Sequence, residues 1–354
     1  MKKNAALALA VTLLAGCAPR EVPVEVRIAN ALPAVTVTAL GETEPVGTSA
    51  ADAADDPAIW RNAANPAASL IVGTDKKAGL HVYTLDGRSR FFVPAGLVNN
   101  VDLIETRAGI IVVASDRNDP KESQLALFRL DPAAMTLTPL GKAASGPGEA
   151  YGICIDAGAS GQDRLTVFAA IKDGSVRQIE LTMGTTGPIA RIVRTMKLAT
   201  QIEGCVVDPA SRSLFVGEED VGVWRFAADA GAPVTGTLVA PTDGKQMVAD
   251  VEGLALVQTG GRSLLVASSQ GDNAYTVFGV PVDVAAPLPL LGRFRIAAGR
   301  FGATSETDGI EVMLGDFGPD YPEGLFVAQD GENQPLAQNF KLVGWREIRS
   351  ALGL

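Results

Sequence analysis

The chain has 354 residues, of which 40 are acidic and 30 are basic, and its net charge is −10 at pH 7. A chain of this length can bury a large hydrophobic core, while its negative charge argues against nucleic acid as a partner. The sequence contains one histidine and three cysteines, so zinc sites and catalysis by histidine or cysteine have very few residues to use.

The first predicted element, in chain order, is an export signal at residues 1–16. It begins with two lysines and continues with an apolar stretch that is too short to cross a bilayer. Leu14-Ala15-Gly16-Cys17 resembles a bacterial lipobox, so we expect Cys17 to be acylated; an ordinary signal peptide with a chance cysteine is the alternative. Alanine at position 18 favours the outer membrane by analogy with bacterial sorting. Residues 17–34 are expected to form a tether between the lipid and the domain.

A polar or acidic segment, here called a head, recurs about every fifty residues through the rest of the chain. The five heads are Asp55-Asp56-Pro57, Asn100-Val101-Asp102, Glu149-Ala150-Tyr151-Gly152, Glu203-Gly204-Cys205 and Asp250-Val251-Glu252-Gly253. Counted from Asp55 through Asp102, Tyr151 and Glu203 to Glu252, the steps are 47, 49, 52 and 49 residues. A period of this length, with short apolar strands and glycine-rich turns, is typical of a β-propeller. We therefore predict an all-β, six-bladed β-propeller over residues 35–354.

The heads occupy the same place in every blade, so they are expected to converge on one end of the central channel. A ring of buried carboxylates cannot stay ionised without cations. Carboxylate oxygens select hard cations such as calcium over softer metals. The pattern therefore predicts a site with several Ca²⁺ ions and an anionic ligand that is held through them.

Several segments outside the heads are expected to finish the fold. Val35-Thr36-Val37-Thr38 alternates as a strand does and is predicted to complete the last blade from the N-terminal side. The long segment from Gly299 to Gly324 is expected to hold a functional loop. The segment from Trp345 to Ser350 is predicted to be a terminal helix or strand. Cys154 and Cys205 follow neighbouring heads, and both a disulfide and two buried thiols remain open.

Eleven motifs, in order along the chain, resemble those of the alkaline β-propeller phytases. They are DDPAIW (55–60), GTDKKAGL (73–80), NNVDL (99–103), SDR (115–117), YGIC (151–154), QIEGCVVD (201–208), EEDVGVW (218–224), DVEGL (250–254), ASSQGDNAYTVF (267–278), ETDGIEV (306–312) and PEGLFVAQDGEN (322–333). The resemblance implies a six-bladed propeller and calcium-dependent hydrolysis of phosphomonoesters from myo-inositol hexakisphosphate (phytate, bound as its calcium salt). Metal-activated water would attack phosphorus directly. We expect a monomer that touches a membrane only through its N-terminal lipid.

The resemblance also implies which residues form the site. The first set of cation ligands, most of which lie in the heads, would be Asp55, Asp56, Asp102, Glu203, Glu219, Asp250 and Glu252. A second cation set would be Asp308, Glu323, Gln329, Asp330, Glu332 and Asn333. The catalytic residues would be Lys76, Arg117 and Tyr151, which contact the cleaved phosphate, with Glu203 and Glu252, which act on metal or on the attacking water. Lys77 would bind substrate beside the cleaved phosphate. Apart from the resemblance, Lys172 and Arg177 lie in a predicted turn of the third blade, where we expect them to bind a second phosphate of the substrate.

The residues themselves point to the same chemistry. The RHGxRxP motif of histidine phosphatases and the Cys-x5-Arg loop of cysteine phosphatases are absent from the sequence, which leaves carboxylates and metal ions to carry hydrolysis. Two alternatives remain open: a non-catalytic propeller that binds phytate or calcium, and a lactonase-type hydrolase on the same fold. Basic residues beside the acidic ring favour phosphate over a lactone.

Overall fold

The structure is a computed structural model that describes residues 22–49, 52–160 and 164–354. The predicted signal, Cys17 and the start of the predicted tether lie outside these residues. In the described part of the chain, 25 strands form six sheets that are arranged as the blades of a propeller. The prediction of an all-β, six-bladed propeller is confirmed.

Two short strands precede the blades, β1 (Val35–Thr38) and β2 (Gly41–Glu42). Blades I and II contain β3 (Ala54–Trp60), β4 (Leu70–Asp75), β5 (Gly79–Thr84) and β6 (Ser89–Pro94), and then β7 (Val98–Thr106), β8 (Gly109–Asp116), β9 (Glu122–Asp131) and β10 (Thr136–Pro147). Blades III and IV contain β11 (Ala150–Ile155), β12 (Arg164–Ile171), β13 (Ser175–Gly184) and β14 (Gly187–Lys197), and then β15 (Ile202–Asp208), β16 (Ser213–Glu218), β17 (Gly222–Ala227) and β18 (Thr237–Pro241). Blade V contains β19 (Val251–Thr259), β20 (Arg262–Ser269), β21 (Ala274–Gly279) and β22 (Leu290–Ala297), and blade VI contains β23 (Ile310–Leu314), β24 (Gly324–Asp330) and β25 (Asn339–Gly344).

The two short N-terminal strands lie at the edges of the last two blades. β1 pairs with β22 in parallel and extends blade V to five strands, whereas β2 pairs with β25 in antiparallel and completes blade VI. The prediction that Val35–Thr38 completes the last blade is therefore wrong, because that strand joins the blade before it. Blade VI takes strands from both ends of the chain, which joins the two ends of the propeller.

Residues 22–34, inside the predicted tether, contact blade V. After helix α1 (Val24–Asn30), the amide of Leu32 donates to Lys245 O at 2.9 Å, and the carbonyl of Leu32 accepts from Arg293 Nη1 at 2.7 Å. Arg293 is buried, and its Nη2 donates to both carboxylate oxygens of Asp272. The segment is thus held by a rigid group of blade V. No helix within the described ranges is long and apolar enough to cross a membrane.

The hydrophobic core lies between neighbouring blades. The strand β4 is buried along its whole length, and its Leu70 and Val72 pack with Val98, Val101 and Val112 of blade II. The fourth strands alternate between buried and exposed positions, because only one of their faces meets the core. This arrangement leaves the first strands to line the channel.

Covalent and helical contacts add to the packing. A disulfide joins Cys154 of β11 to Cys205 of β15, with their Cα atoms 5.7 Å apart, so it links the inner strands of blades III and IV. The C-terminal segment is helix α2 (Trp345–Leu352), which buries Trp345 and Ile348 in the core shared by blades V and VI.

Candidate active site

The first strand of each of blades I to V has a β-bulge at the same place, close to its start. Two residues of that strand stand opposite one residue of the second strand. The bulged pairs are Asp55-Asp56, Asn99-Asn100, Tyr151-Gly152, Glu203-Gly204 and Glu252-Gly253. In blade VI, Asp308-Gly309 precede β23, and the Gly309 amide donates to Asp55 O at 3.1 Å. Bulges re-aim side chains next to active sites, and the first residues of the six pairs are here called the inner ring.

A glycine follows four of the six inner-ring residues because the next blade comes close to the backbone there. A Cβ atom on Gly152 would lie 1.8 Å from Glu203 O, and one on Gly204 would lie 2.1 Å from Glu252 O. Any larger residue would force neighbouring blades apart. The recurring acidic-or-tyrosine–glycine pattern of the heads is therefore a packing requirement as well as a source of ligands.

A second ring, here called the outer ring, comes from the residue that follows the second strand of each blade. Its members are Lys76, Arg117, Lys172, Glu219, Gln270 and Gly331. The backbone amide of each donates to a carbonyl at or just before the first strand of its own blade: those of Ala53, Leu97, Glu149, Gln201, Asp250 and Ser305. Blades I to III thus place cations at the rim, and blades IV and V place a carboxylate and an amide. The two rings together, here called the mouth, have a basic and an acidic side.

Three carboxylates from blades IV and V form the acidic side. One oxygen from each of Glu203, Glu219 and Glu252 lies within 4.8 Å of the other two. Asn99 Nδ2 donates to Glu203 Oε1 at 2.8 Å. Glu252 Oε2 is buried and has no hydrogen-bond partner among the described residues. Asp250 is half-buried beside this group and adds to its negative charge.

Ionisation of the carboxylates on the acidic side is unfavourable when no cation is bound. Burial raises the pKa of Glu203 well above its usual value, and the charges of Asp55 and Glu252 raise it further. Burial likewise raises the pKa of Glu252, with added repulsion from Asp308 and Glu219. A hard divalent cation would relieve the repulsion among these carboxylates. The donor set at this position fits calcium.

Lys76 lies among carboxylates rather than in solvent. Its Nζ is 2.9 Å from Asp55 Oδ2 and 2.9 Å from Asp308 Oδ2, and it also contacts Asp52. Burial opposes its charge, but Asp55 and Asp308 hold its pKa above the ordinary value, so it stays protonated. Burial raises the pKa of Asp308 to about 7, although Lys76 counteracts the shift. Lys77 is at the rim, where its Nζ lies 3.2 Å from Asp52 Oδ2.

The basic side of the mouth is built around Tyr151. Lys172 Nζ and Arg117 Cζ lie 5.1 Å and 5.9 Å from the centre of its ring. In the described part of the chain, the one ionic partner of the Arg117 side chain is Glu149, at 3.7 Å. Burial, followed by the charge of Glu203, raises the pKa of Tyr151, so the phenol keeps its proton. The side thus presents two cations and a hydroxyl to an anion.

Asp56 and Asp102 lie deeper in the channel. Each accepts a backbone N–H from the next blade, at 3.0 Å and 2.7 Å, and with Glu311 they line a cavity of about 50 Å³. Burial raises the pKa of Asp102 to about 6 and that of Glu311 to about 8. The structure does not bring Asp102 to the mouth, since Asn99, three residues earlier, has the inner-ring position. Asp56 and Asp102 therefore join neighbouring blades through these hydrogen bonds.

The predicted second cation set does not come together as one group. Asp308 belongs to the mouth, and its amide donates to Gln329 Oε1 at 2.9 Å. Glu323 pairs with Arg349 on the surface, with 2.7 Å between the charged atoms. Glu332 contributes its backbone amide, which donates to Asp330 Oδ1 at 3.3 Å.

The predicted calcium ligands Asp330 and Asn333 instead surround a buried ammonium group. Lys341 Nζ lies 3.1 Å from Asp330 Oδ2 and 3.2 Å from Asn333 Oδ1. It also lies 2.6 Å from Glu42 Oε2 and 3.0 Å from Asn339 Oδ1, and its side chain is fully buried. A calcium ion at this position does not fit, because the ammonium already takes the place of the cation.

The side chains of Arg177 and His81 are buried and make contacts within the fold. The Arg177 guanidinium is buried and donates to Ser145 O at 2.8 Å, to Ser123 Oγ at 3.2 Å and to Pro147 O, all in blade II. These bonds join blades II and III, and they do not support the predicted contact with substrate. His81 is buried in blade I, with its ring stacked on that of Tyr83.

Sequence reasoning missed four residues in or beside the mouth, which are Asp52, Asn99, Gln201 and Gln270. It also assigned Asp308 to the second cation set and not to the inner ring. Asp308-Gly309 repeats the acidic–glycine pattern and precedes an apolar strand, so the head pattern itself was a signal for the sixth blade. The amides carried no such signal. Their roles depend on contacts, such as the bond from Gln270 Nε2 to Asp308 Oδ1 at 2.8 Å.

Comparison with known proteins adds three findings. The model of a family described as Phytase matches residues 3–354. The 3-phytase of Bacillus subtilis (strain 168) is 36% identical over 335 residues, which cover 90% of this chain and 85% of that protein. Among solved structures, that of BBS1N in complex with ARL6DN aligns with a TM-score of 0.44 and 10% identity, over 78% of this chain and 76% of that chain.

Proposed function

The chain belongs to the phytase family, as a 3-phytase that hydrolyses phytate, and we propose that its reaction depends on calcium held at the mouth and proceeds by direct attack of water. One observation carries the proposal. A cluster of three carboxylates, with one buried oxygen unpaired, lies beside two cations and a phenol. This arrangement suits a phosphate ester that is held between metal ions and basic side chains.

Glu203, Glu219 and Glu252 would hold calcium on the acidic side, with Asp55 and Asp308 of the inner ring beside them. Calcium bound there supplies positive charge next to the phosphoryl oxygens and lowers the pKa of a water molecule. Asp250 adds negative charge that favours the bound ion.

The basic side would bind and orient the phosphate. The planar guanidinium of Arg117 offers a fork of donors that matches phosphate geometry, and Lys172 adds a point charge. The Tyr151 hydroxyl donates to a phosphoryl oxygen. These donors are fixed before the reaction, so they stabilise the charge that builds on the phosphoryl oxygens in the transition state. Lys76 keeps the inner ring together, and Lys77 meets substrate at the rim.

The attacking water would lose its proton to a carboxylate of the acidic side. Glu252 Oε2 is suited to accept it, because this oxygen is buried and lacks a hydrogen-bond donor among the described residues. As water bonds to phosphorus, the bond from phosphorus to the inositol oxygen would break, and that oxygen would take a proton from solvent water. No covalent phosphoenzyme is needed in this scheme.

The substrate class separates this proposal from its rivals. The test incubates the purified protein, with calcium present, with phytate and with a lactone, and measures free phosphate and lactone opening. We expect phosphate from phytate and an intact lactone. Phytate binding without phosphate release would instead favour the non-catalytic propeller, and lactone opening would favour the lactonase-type enzyme.

We also propose that the protein is exported and anchored to the outer membrane as a monomer. The support is the N-terminal sequence, in which a short apolar stretch ends in Leu14-Ala15-Gly16-Cys17. Acylation of Cys17 would hold the propeller at the membrane surface, where phytate, a solute too highly charged to cross a bilayer, is accessible.

A further inference from the structure

Gln201 joins the two sides of the mouth. Its side-chain amide donates to Glu219 Oε1 at 2.7 Å and to the Tyr151 hydroxyl at 3.3 Å. Its backbone carbonyl accepts from the Glu219 amide at 3.1 Å. One side chain therefore contacts both a carboxylate of the acidic side and the phenol of the basic side.

The contact between Gln201 and Tyr151 sets the direction of the phenolic proton. A phenolic oxygen that accepts an N–H must direct its own O–H elsewhere. Within the described residues, that O–H donates to no protein acceptor. Arg117 and Lys172 flank the same ring and attract an anion to it. The acceptor that completes the group is therefore an oxygen of a bound phosphoryl group.

The contact between Gln201 and Glu219 holds this carboxylate in the cluster. With Oε1 fixed by Gln201, the carboxylate has less freedom to rotate, and it keeps an oxygen within 4.8 Å of Glu203 and Glu252. Hydrogen-bond partners that orient a metal ligand matter for binding, and their loss typically costs about 10- to 100-fold in metal affinity or activity. Gln201 thus orients a ligand of the cation through its bond to Glu219, and a donor to the substrate through its bond to Tyr151.

We propose that Gln201 is a positioning residue whose amide directs the Tyr151 O–H toward the phosphoryl group of the substrate and holds Glu219 in the calcium cluster. The inference rests on the proposed function, and it names the side chain through which the cation side and the phosphate side of the mouth are aligned.

The test uses the full-length protein with Gln201→Met, which keeps the length of the side chain and removes both N–H donors. Tyr151→Phe and the double variant complete a mutant cycle. Gln258→Met is the matched control, because Gln258 also donates to a carboxylate, Asp208 Oδ1 at 3.2 Å, but Asp208 belongs to neither ring. Calorimetric titration with calcium alone gives the metal affinity, and phytate turnover at saturating calcium gives kcat and KM.

We expect Gln201→Met to weaken calcium binding by about tenfold or more and to lower kcat more than it changes KM. In the Tyr151→Phe background, the loss of kcat should largely disappear, since coupled residues are not additive, while the loss of calcium affinity should persist. Calcium affinity equal to that of the control, or kcat losses that simply multiply, would overturn the inference. If the wild type releases no phosphate from phytate, the proposed function fails, and the calcium titration still decides whether Gln201 holds Glu219.

Discussion

Lys341→Met tests whether a lysine, and not a metal ion, balances the carboxylate charges of Glu42 and Asp330 in blade VI. The substitution keeps the length of the side chain but removes the ammonium group that four oxygens surround. Two carboxylates, those of Glu42 and Asp330, are then left without a cation. Breaking a buried ion pair typically costs about 3–5 kcal/mol. The Glu42 side chain is 32% exposed, so water compensates in part and we expect a loss near the lower value, about 3 kcal/mol.

Thermal unfolding of calcium-free protein measures this effect, with an expected fall in Tm on the order of 5 °C. Lys197→Met is the control, because Lys197 pairs with Asp173 at 3.2 Å on the surface, where such pairs contribute about 1 kcal/mol or less. The oxygens freed by Lys341→Met form a calcium-like donor set. Added calcium should therefore raise the Tm of this variant more than that of the wild type, and ten times the Kd stabilises by about 1.4 kcal/mol. If the variant were as stable as the wild type without calcium, the charge-balance argument would be refuted.

Three further predictions concern pH, substrate access and anchoring. Burial raises the pKa of Glu311 from 4.5 to about 8, so the folded protein keeps a proton that the unfolded chain loses; stability should fall as pH rises from about 5 to 8 and then level off. Melting curves of calcium-free protein should show this fall, Glu311→Gln should reduce it, and a Tm that rises with pH would contradict it. Asp52→Asn removes the exposed carboxylate that pairs with Lys76 and Lys77 and should lower the KM for phytate about two- to fivefold, since such pairs contribute about 1 kcal/mol or less; an unchanged or higher KM would show that Asp52 does not compete with phosphate. The native protein should fractionate with membranes, and Cys17→Ser should release it or block its processing; a wild type found wholly in the soluble fraction would rule out the anchor.

Most of the fold could be predicted from the repeat pattern of the sequence. A fifty-residue period requires one blade per period, and the glycines of the heads mark where blades approach each other. It was harder to predict which residue of each head takes the inner-ring position, because a β-bulge displaces the register of the first strand. In blade II the inner-ring residue is Asn99, whereas the acidic character of Asp102 drew attention to a position three residues deeper.

The contacts that the sequence did not reveal join residues far apart in the chain. Lys341 meets Glu42 across 299 positions, through pairing of β2 with β25. A carboxylate–glycine turn at Asp330 looks the same in sequence whether its cation is a metal ion or a lysine. The contacts of Gln201 could not be predicted from the sequence either, because an uncharged amide adds nothing to the charge pattern. The role of Gln201 depends on two neighbours that lie on different blades.

The central claim is that carboxylates of the mouth hold the calcium that hydrolysis requires, while the basic side binds phosphate. The most direct measurement is phosphate release from phytate as a function of free calcium, after chelation, for the wild type, Glu252→Ala and Arg117→Ala. We predict no release by the wild type in excess chelator and full recovery with calcium. Glu252→Ala should need about tenfold or more calcium for half-maximal rate, whereas Arg117→Ala should keep the wild-type calcium requirement and lose about 100- to 1000-fold in rate. Full wild-type activity in excess chelator, or near-normal turnover by both variants at ordinary calcium, would contradict the account.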